Sequence, residues 1–180
     1  IKRFPVSGYR RQTRGGRGST GATTKEDDFI EHMFIASTHD YMLLFSDQGQ
    51  CYWLKVFEIP EGGRASRGKA IVNLIAKDPT ETIASYVGVK SFEDPLYVMM
   101  ATQQGLIKKV KLSEFANPRR SGIAAISLGK GDRLIGVRLT DGSQDIVIGT
   151  REGMAIRFHE QEVRSMGRTA SGVRAINLEK

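Results

Sequence analysis

Three short segments constrain the fold of this chain more than any other feature: Ser46-Asp47-Gln48-Gly49, Thr102-Gln103-Gln104-Gly105 and Thr150-Arg151-Glu152-Gly153. Each reads Ser or Thr, two polar residues, then Gly. Each follows an apolar run (Met42 to Phe45, Val98 to Ala101, Ile146 to Ile148) and precedes an apolar or mixed one (Cys51 to Val56, Leu106 to Leu112, Met154 to Phe158). Apolar run, glycine turn, apolar run is the pattern of a β-hairpin, because glycine supplies the positive φ such turns need. The register extends further. Ile1 to Tyr9 aligns without a gap on Ile107 to Phe115, and the corresponding starts are Cys51 and Ala155, so the unit recurs after 50, 56 and 48 residues. Seventeen residues past three of those starts stand Gly18, Gly68 and Gly172, and Gly122 follows Ile107 after fifteen. Beyond them, Val72-Asn73-Leu74, Ile126-Ser127-Leu128 and Ile176-Asn177-Leu178 predict a further strand, Asp78 and Asp132 recur, and Thr82 to Val89 or Leu134 to Leu139 predict another.

Four short strands and almost no helix per unit of roughly 40–50 residues is what a propeller blade requires, since one small sheet cannot cover both its faces alone and must stack on its neighbours. The expected fold class is therefore all-β: a propeller-like array of four-stranded blades. The units are expected at about 1–50, 51–106, 107–154 and, in part, 155–180. A β-sandwich of irregular hairpins is the alternative, and columns that keep register over three or four copies favour the blades. About three and a half units are few for a closed ring, and the chain opens on Ile1 in what reads as mid-strand, so residues 1–180 are expected to be a fragment of one domain.

The charge points to a polyanion. Lys and Arg number 27 against 20 Asp and Glu, a net charge of +7, and a basic surface of that size suits nucleic acid first. The cations recur with the repeat. Residues 1–20 contain Lys2, Arg3, Arg10, Arg11, Arg14 and Arg17 and no acid; the next unit has Arg64, Arg67 and Lys69, the third Lys109, Arg119 and Arg120, the fourth Arg168 and Arg174. Arg14, Arg64 and Arg168 share one column, thirteen residues into their units, and Arg17 and Arg67 another. In stacked blades one column becomes one arc, so these residues are expected to form a curved cationic track. Such a track would bind a bent duplex through its phosphates, without reading sequence, and its contacts would offset the roughly 1–6 kcal/mol needed to bend a 20–30 bp site by 40–90°.

Other chemistry finds little support. The single cysteine, Cys51, excludes an intrachain disulfide and a cysteine-based zinc site. His32, His39 and His159 lack metal-ligand spacing, and no metal site is expected. Gly63 to Ala70 nearly matches a P-loop, but Ala70 stands where a Ser or Thr would hold Mg²⁺ and no helix follows. No nucleophile elbow or zinc-protease motif occurs. Trp53 and Cys51 read as strand residues, and Glu26-Asp27-Asp28 as a solvated loop. The longest apolar run, Leu96 to Ala101, is far too short for a membrane span, and no signal-peptide pattern is present.

Gln12-Thr13-Arg14-Gly15-Gly16-Arg17-Gly18 resembles the "gyrase box", Gln-Arg-Arg-Gly-Gly-Lys/Arg-Gly, found in the C-terminal domain of the bacterial DNA gyrase A protein; six of the seven positions agree and Thr13 departs. Lys2-Arg3, Tyr9-Arg10 and the repeated blades look like the same family, and the resemblance covers the whole chain. It implies a six-bladed β-pinwheel, a propeller relative whose neighbouring blades exchange strands, with the box on the first blade. It implies sequence-independent wrapping of double-stranded DNA for an ATP-dependent topoisomerase that introduces negative supercoils. The partners implied are the N-terminal region of the gyrase A protein and the gyrase B protein in an A2B2 holoenzyme, in the bacterial cytoplasm at the nucleoid and with no membrane contact. No catalytic residue or cofactor is expected in this segment, since ATP and Mg²⁺ would belong to other parts of the enzyme. Within the box, Gly15, Gly16 and Gly18 would let backbone N–H groups approach a phosphate, flanked by Arg14 and Arg17. Two rival readings are the C-terminal DNA-binding domain of a topoisomerase IV protein, which lacks an intact box, and a propeller used as a protein-interaction scaffold.

Overall fold

In the computed structural model, residues 1–24, 29–63 and 65–178 are described. Their strands are β1 (Tyr41–Ser46), β2 (Gln50–Lys55), β3 (Ile83–Val89), β4 (Tyr97–Thr102), β5 (Leu106–Lys111), β6 (Ile123–Ala124), β7 (Leu134–Thr140), β8 (Asp145–Gly149), β9 (Ala155–His159) and β10 (Val173–Arg174). Helical structure among the described residues is limited to 3-10 turns of three or four residues.

The hairpin motif works the same way three times. The N–H groups of Gly49, Gly105 and Gly153 donate to the carbonyls of Ser46, Thr102 and Thr150 at 3.0, 3.1 and 3.1 Å. The glycines sit at φ 83°, 79° and 83°, which an L side chain resists. The hydroxyls of Ser46, Thr102 and Thr150 then accept from the N–H groups of Gln50, Leu106 and Met154 at 3.1, 3.2 and 3.1 Å. Both ends of the Ser/Thr-x-x-Gly column are thus fixed by a hydrogen bond.

Two four-stranded antiparallel sheets result, ordered β3-β1-β2-β6 and β7-β4-β5-β10, with β8-β9 as a two-stranded sheet. Both larger sheets carry the same irregularity, between Phe45 and Ser46 and between Ala101 and Thr102. Each sheet borrows its outer strand from beyond the next hairpin: β6 follows β4 and β5 in the chain yet pairs with β2, Cys51 opposite Ile123. Likewise β10 follows β8 and β9 yet pairs with β5, Ile107 opposite Val173. Ile1 makes the same exchange with Lys69, whose N–H donates to the Ile1 carbonyl at 2.9 Å while the Ile1 amine donates to the Lys69 carbonyl.

This exchange explains the glycine column at positions 68, 122 and 172. A Cβ on Gly172 would lie 2.6 Å from the Ile107 carbonyl oxygen, one on Gly68 2.8 Å from that of Ile1, and one on Gly122 2.7 Å from the Tyr52 ring. Gly172 also sits at φ 96°. Gly172→Ala is therefore expected to destabilise the domain by about 1–3 kcal/mol, read as a shift in urea midpoint at unchanged m-value; an unshifted midpoint would show that β10 docks without this close approach.

The strand expected at the recurring triplets is not there. Ile71–Asn73 is a 3-10 turn, and the exchanged strands lie earlier, at β6 and β10, so 126–128 and 176–178 fall outside any strand. The triplets recur because Ile126 and Ile176 donate backbone N–H groups to the carbonyls of Gly49 and Gly105, each at 3.3 Å, which anchors the borrowed segment over the hairpin turn. Residues 1–40 also hold less strand than a four-stranded unit needs: the described part has a 3-10 turn at Val6–Gly8 and an isolated bridge from Arg3 to Glu61.

The main core lies between the two larger sheets, where Leu43, Phe45, Cys51, Val87 and Val89 meet Val98, Met100, Val110, Leu112, Leu134 and Val137. Phe45 and Phe115 pack edge to face at 5.8 Å. Cys51 and Trp53 are packed strand residues here; burial raises the Cys51 thiol well above its ordinary value. A smaller cluster of Met99, Ile107 and Val163 joins the second sheet to Ile146, Ile148 and Phe158 of the β8–β9 hairpin.

Candidate nucleic-acid interface

The segment from Arg10 to Gly18 is exposed throughout. Within it, the Gly16 N–H donates to the Thr13 carbonyl at 3.0 Å, closing a turn with Gly15 at φ 85°. Arg14 occupies the turn and Arg17 follows it. Nothing lies within 4 Å of where a Cβ would stand on Gly15 or Gly18, whereas at Gly16 the Gln12 side-chain oxygen approaches to 2.9 Å. The glycines thus leave main chain open to solvent, and Gln12 packs under the turn. Arg10, Arg11, Arg14 and Arg17 form no ion pair with another described residue, so their guanidinium groups face water and are available to an anion. Arg10 and Gln12 border a shallow cleft with Phe4, Gly8 and Ser19.

The remaining expected cations fall into two groups. Arg67, Lys69, Arg119 and Arg120 are exposed. Lys69 lies against Ile1 through the strand exchange, and Arg119 and Arg120 border a cleft lined also by Tyr52, Trp53 and residues 72–76. The others are engaged. Arg3 pairs with Glu61 at 2.7 Å and donates to the Ile59 carbonyl at 2.8 Å. Arg168 is half-buried and donates to the Ala124 carbonyl at 3.1 Å. Arg174 is exposed but holds the Gln104 carbonyl at 2.8 Å. The column of Arg14 and Arg168 is therefore not a row of equivalent free charges. Arg64, like the acids Glu26, Asp27 and Asp28, lies outside the described residues.

Lys109 requires a correction. It was expected on the DNA-facing surface, but it lies mid-sheet on β5 and is 6% exposed. Its ammonium pairs with Glu160 at 3.2 Å and stands 4.5 Å from the centre of the Tyr97 ring. A group so enclosed cannot reach a phosphate.

Three cations outside the expected set lie near the hairpin turns. Arg133 pairs with Asp47 at 3.4 Å and stays two-thirds exposed. Lys130 is exposed and its carbonyl accepts from the Gln104 side chain, and Arg151 is an exposed turn residue of the β8–β9 hairpin. Their shared position at the turns was the available signal.

Two buried charges hold the units together. Lys108 is fully buried, and its ammonium donates to the carbonyls of Ala125 and Ala170, both at 2.8 Å, and of Arg168. Burial, then the charge of Arg168, pulls its pKa down to about 8. Lys2, in the matching position, donates to the Gly63 and Ser66 carbonyls at 3.0 and 2.9 Å. Glu160, also fully buried, accepts from the Thr140 hydroxyl at 2.8 Å and from the Gly142 and Gln144 N–H groups at 3.0 and 2.8 Å. Burial pushes its carboxyl up, but the Gln144 N–H, the Thr140 hydroxyl and Lys109 outweigh that and hold it below its ordinary value.

Among the described residues, no group of three or more His, Cys, Asp or Glu is placed to hold a metal ion, and no helix is long and apolar enough to cross a membrane.

Comparison with known proteins agrees with this architecture. The model of a family described as "DNA gyrase C-terminal domain, beta-propeller" matches residues 1–37, 40–78, 96–141 and 144–180. The DNA gyrase A protein of Halalkalibacterium halodurans is 49% identical over 98% of this chain and 21% of its own length. That of Salmonella typhimurium is 46% identical over 99% of this chain and 20% of its own. The chain thus spans about a fifth of the length of these relatives. Among solved structures, the C-terminal domain of a DNA topoisomerase IV superposes with a TM-score of 0.83 at 30% identity, over 99% of this chain and 54% of that one. A DNA gyrase A C-terminal domain superposes at 0.71 and 22% identity, over 99% and 57%, a likeness of fold. With exchanged blades, recurring cations and a family match over most of its length, the chain belongs to the DNA gyrase C-terminal domain family, a β-propeller family.

Proposed function

We propose that this chain is a non-catalytic DNA-wrapping module of a type II topoisomerase, bending duplex DNA along its exposed cations so that the whole enzyme can introduce negative supercoils. The observation that carries the reading is the exposed set Arg10, Arg11, Arg14 and Arg17 around an open glycine turn, none of them ion-paired with another described residue. Phosphate is the anion such a set fits: the guanidinium groups give charge and forked donors, and the bare main chain gives close approach. Arg67, Lys69, Arg119 and Arg120 extend the surface. In this reading, strand cleavage and ATP turnover lie in other parts of a gyrase-type holoenzyme, and the chain's partners are double-stranded DNA and those other parts.

Binding to duplex DNA is expected to ignore sequence and to fall steeply with salt, because each neutralised phosphate contributes about 0.9 to the slope of log K against log salt. Arg14→Ala with Arg17→Ala should make that slope shallower by about two. An unchanged slope removes the box from the contact surface. Ligating nicked circles in the presence of the chain tests wrapping itself, with trapped positive writhe as the expected product. Binding without writhe would favour the topoisomerase IV reading, to which the superposition with that enzyme's domain lends weight.

A further inference from the structure

The junction between the second and third units is built differently from its two neighbours. At the third position of the first and third units stand Arg3 and Lys109, and each is tied to the unit that follows. Their main-chain carbonyls accept from the N–H groups of Gly62 and Met166 at 3.1 and 2.9 Å, alongside the isolated parallel bridges Arg3–Glu61 and Lys109–Ser165. Their side chains pair with Glu61 and Glu160. The second unit has Trp53 at that position, and Pro118 stands where the next unit would supply the N–H. Proline has no N–H to give, and no such bridge joins Trp53 to a described residue. The indole N–H of Trp53 is enclosed without an acceptor among the described residues.

The preceding position differs in the same sense. Lys2 and Lys108 reach main-chain carbonyls of the following unit, among them those of Ser66 and Ala170. Their counterpart, Tyr52, instead turns its hydroxyl to Glu81 at 2.8 Å. Among the described residues, neither Tyr52 nor Trp53 bonds through its side chain to residues 118–120. A cleft of about 500 Å³ lies there, bordered by Tyr52, Trp53, Pro118, Arg119 and Arg120, a volume that suits a small ligand. Trp53 is half-buried, while Arg119 and Arg120 are exposed and form no ion pair with a described residue. Glu58 also borders the cleft, and its carboxylate already accepts from the Lys55 N–H at 3.3 Å.

We propose that this cleft takes one unpaired nucleotide, its base against the Trp53 ring and its phosphates on Arg119 and Arg120. An aromatic ring beside guanidinium groups is the combination that holds a base and its backbone without reading sequence. A base inside an intact duplex is stacked on its neighbours and cannot reach such a ring. The chain should therefore prefer duplex DNA that carries an extrahelical nucleotide over duplex that is fully paired. This inference rests on the DNA-binding reading and adds to it a place where the chain distinguishes one DNA from another by structure.

Trp53 is the only tryptophan of the 180-residue chain, so its fluorescence reports on the cleft directly. The probes are a fully paired duplex and the same duplex with one bulged thymidine, each also followed by anisotropy of an attached dye. Both should bind. The bulged duplex should bind roughly tenfold tighter, the effect of stacking one base, and should alone quench the Trp53 emission. Trp53→Phe should keep that preference in the anisotropy measurement, and Trp53→Ala, if its far-ultraviolet dichroism is unchanged, should lose it. A paired duplex that binds beside a bulged one that binds no tighter and quenches nothing overturns the inference and leaves the DNA-binding reading standing. Equal quenching by both duplexes also overturns it. Binding of neither removes the DNA-binding reading, and the inference with it.

Discussion

Glu160→Ala is expected to lower stability by about 3–5 kcal/mol, the range for breaking a buried ion pair by removing one partner. The Lys109 ammonium would remain enclosed beside Tyr97 with its carboxylate gone, and the Thr140 hydroxyl and the Gly142 and Gln144 N–H groups would lose their acceptor. These donors sit on the link from β7 to β8, so the loss should concentrate where the third hairpin joins the second sheet. Hydrogen exchange should show faster exchange in β8 and β9 than in β1 and β2, whereas uniform weakening would place the role of Glu160 elsewhere. The pH dependence has a definite sign. The folded carboxyl titrates below its ordinary value, so its contribution is fully present above the unfolded carboxylate pKa and is lost as pH falls through the folded one. Glu160→Gln should flatten that part of the acid unfolding curve.

Lys108→Met is expected to cost about 2–4 kcal/mol. Replacing a buried charge by an apolar side chain can be neutral when its partners leave with it. Here three main-chain carbonyls stay behind; that of Ala170 keeps the Ser127 N–H at 3.2 Å, but those of Ala125 and Arg168 lose their donor, and each buried unsatisfied acceptor costs about 1–3 kcal/mol. The acceptors outweigh the relief of the buried charge. Linkage again fixes the sign: with a folded pKa of about 8, below that of the unfolded chain, wild-type stability should climb as pH rises from about 8 towards the ordinary lysine value. The variant should lack that climb. Urea unfolding across this range checks both statements, and a variant as stable as wild type at neutral pH would show that water satisfies the carbonyls.

The hairpins were legible in the sequence because each turn is closed locally, by a glycine and a hydroxyl four residues or fewer from their partners. The glycines at 68, 122 and 172 were visible as a column, but their cause was not, since the backbone each one touches (Ile1, Cys51 and Ile107) lies more than a whole unit earlier in the chain. The exposed box arginines and the enclosed Lys109 look alike in a string of basic residues. What separates them is strand position: Lys109 lies in the centre of a sheet, opposite Met99 on β4, with a hidden acid to receive it. Lys108 and Lys2 stand in register in the alignment, each one residue past the start of its unit, and that recurrence was a sign of internal anchoring rather than of solvent contact. The triplets at 72, 126 and 176 misled because an apolar–polar–apolar alternation also suits a segment that lies over a turn and bonds to it only once or twice.

The borrowed outer strand has a consequence for how the molecule is made. A chain emerging from the ribosome completes β1 and β2 long before β6 exists, so its first sheet stays unsealed until the following hairpin has been synthesised. The same delay recurs for β5, which waits for β10. The nascent protein therefore always trails one incomplete sheet behind its growing end, and a single proteolytic cut between β5 and β6 would unlatch the sheet before the break while also separating the two halves of the one after it.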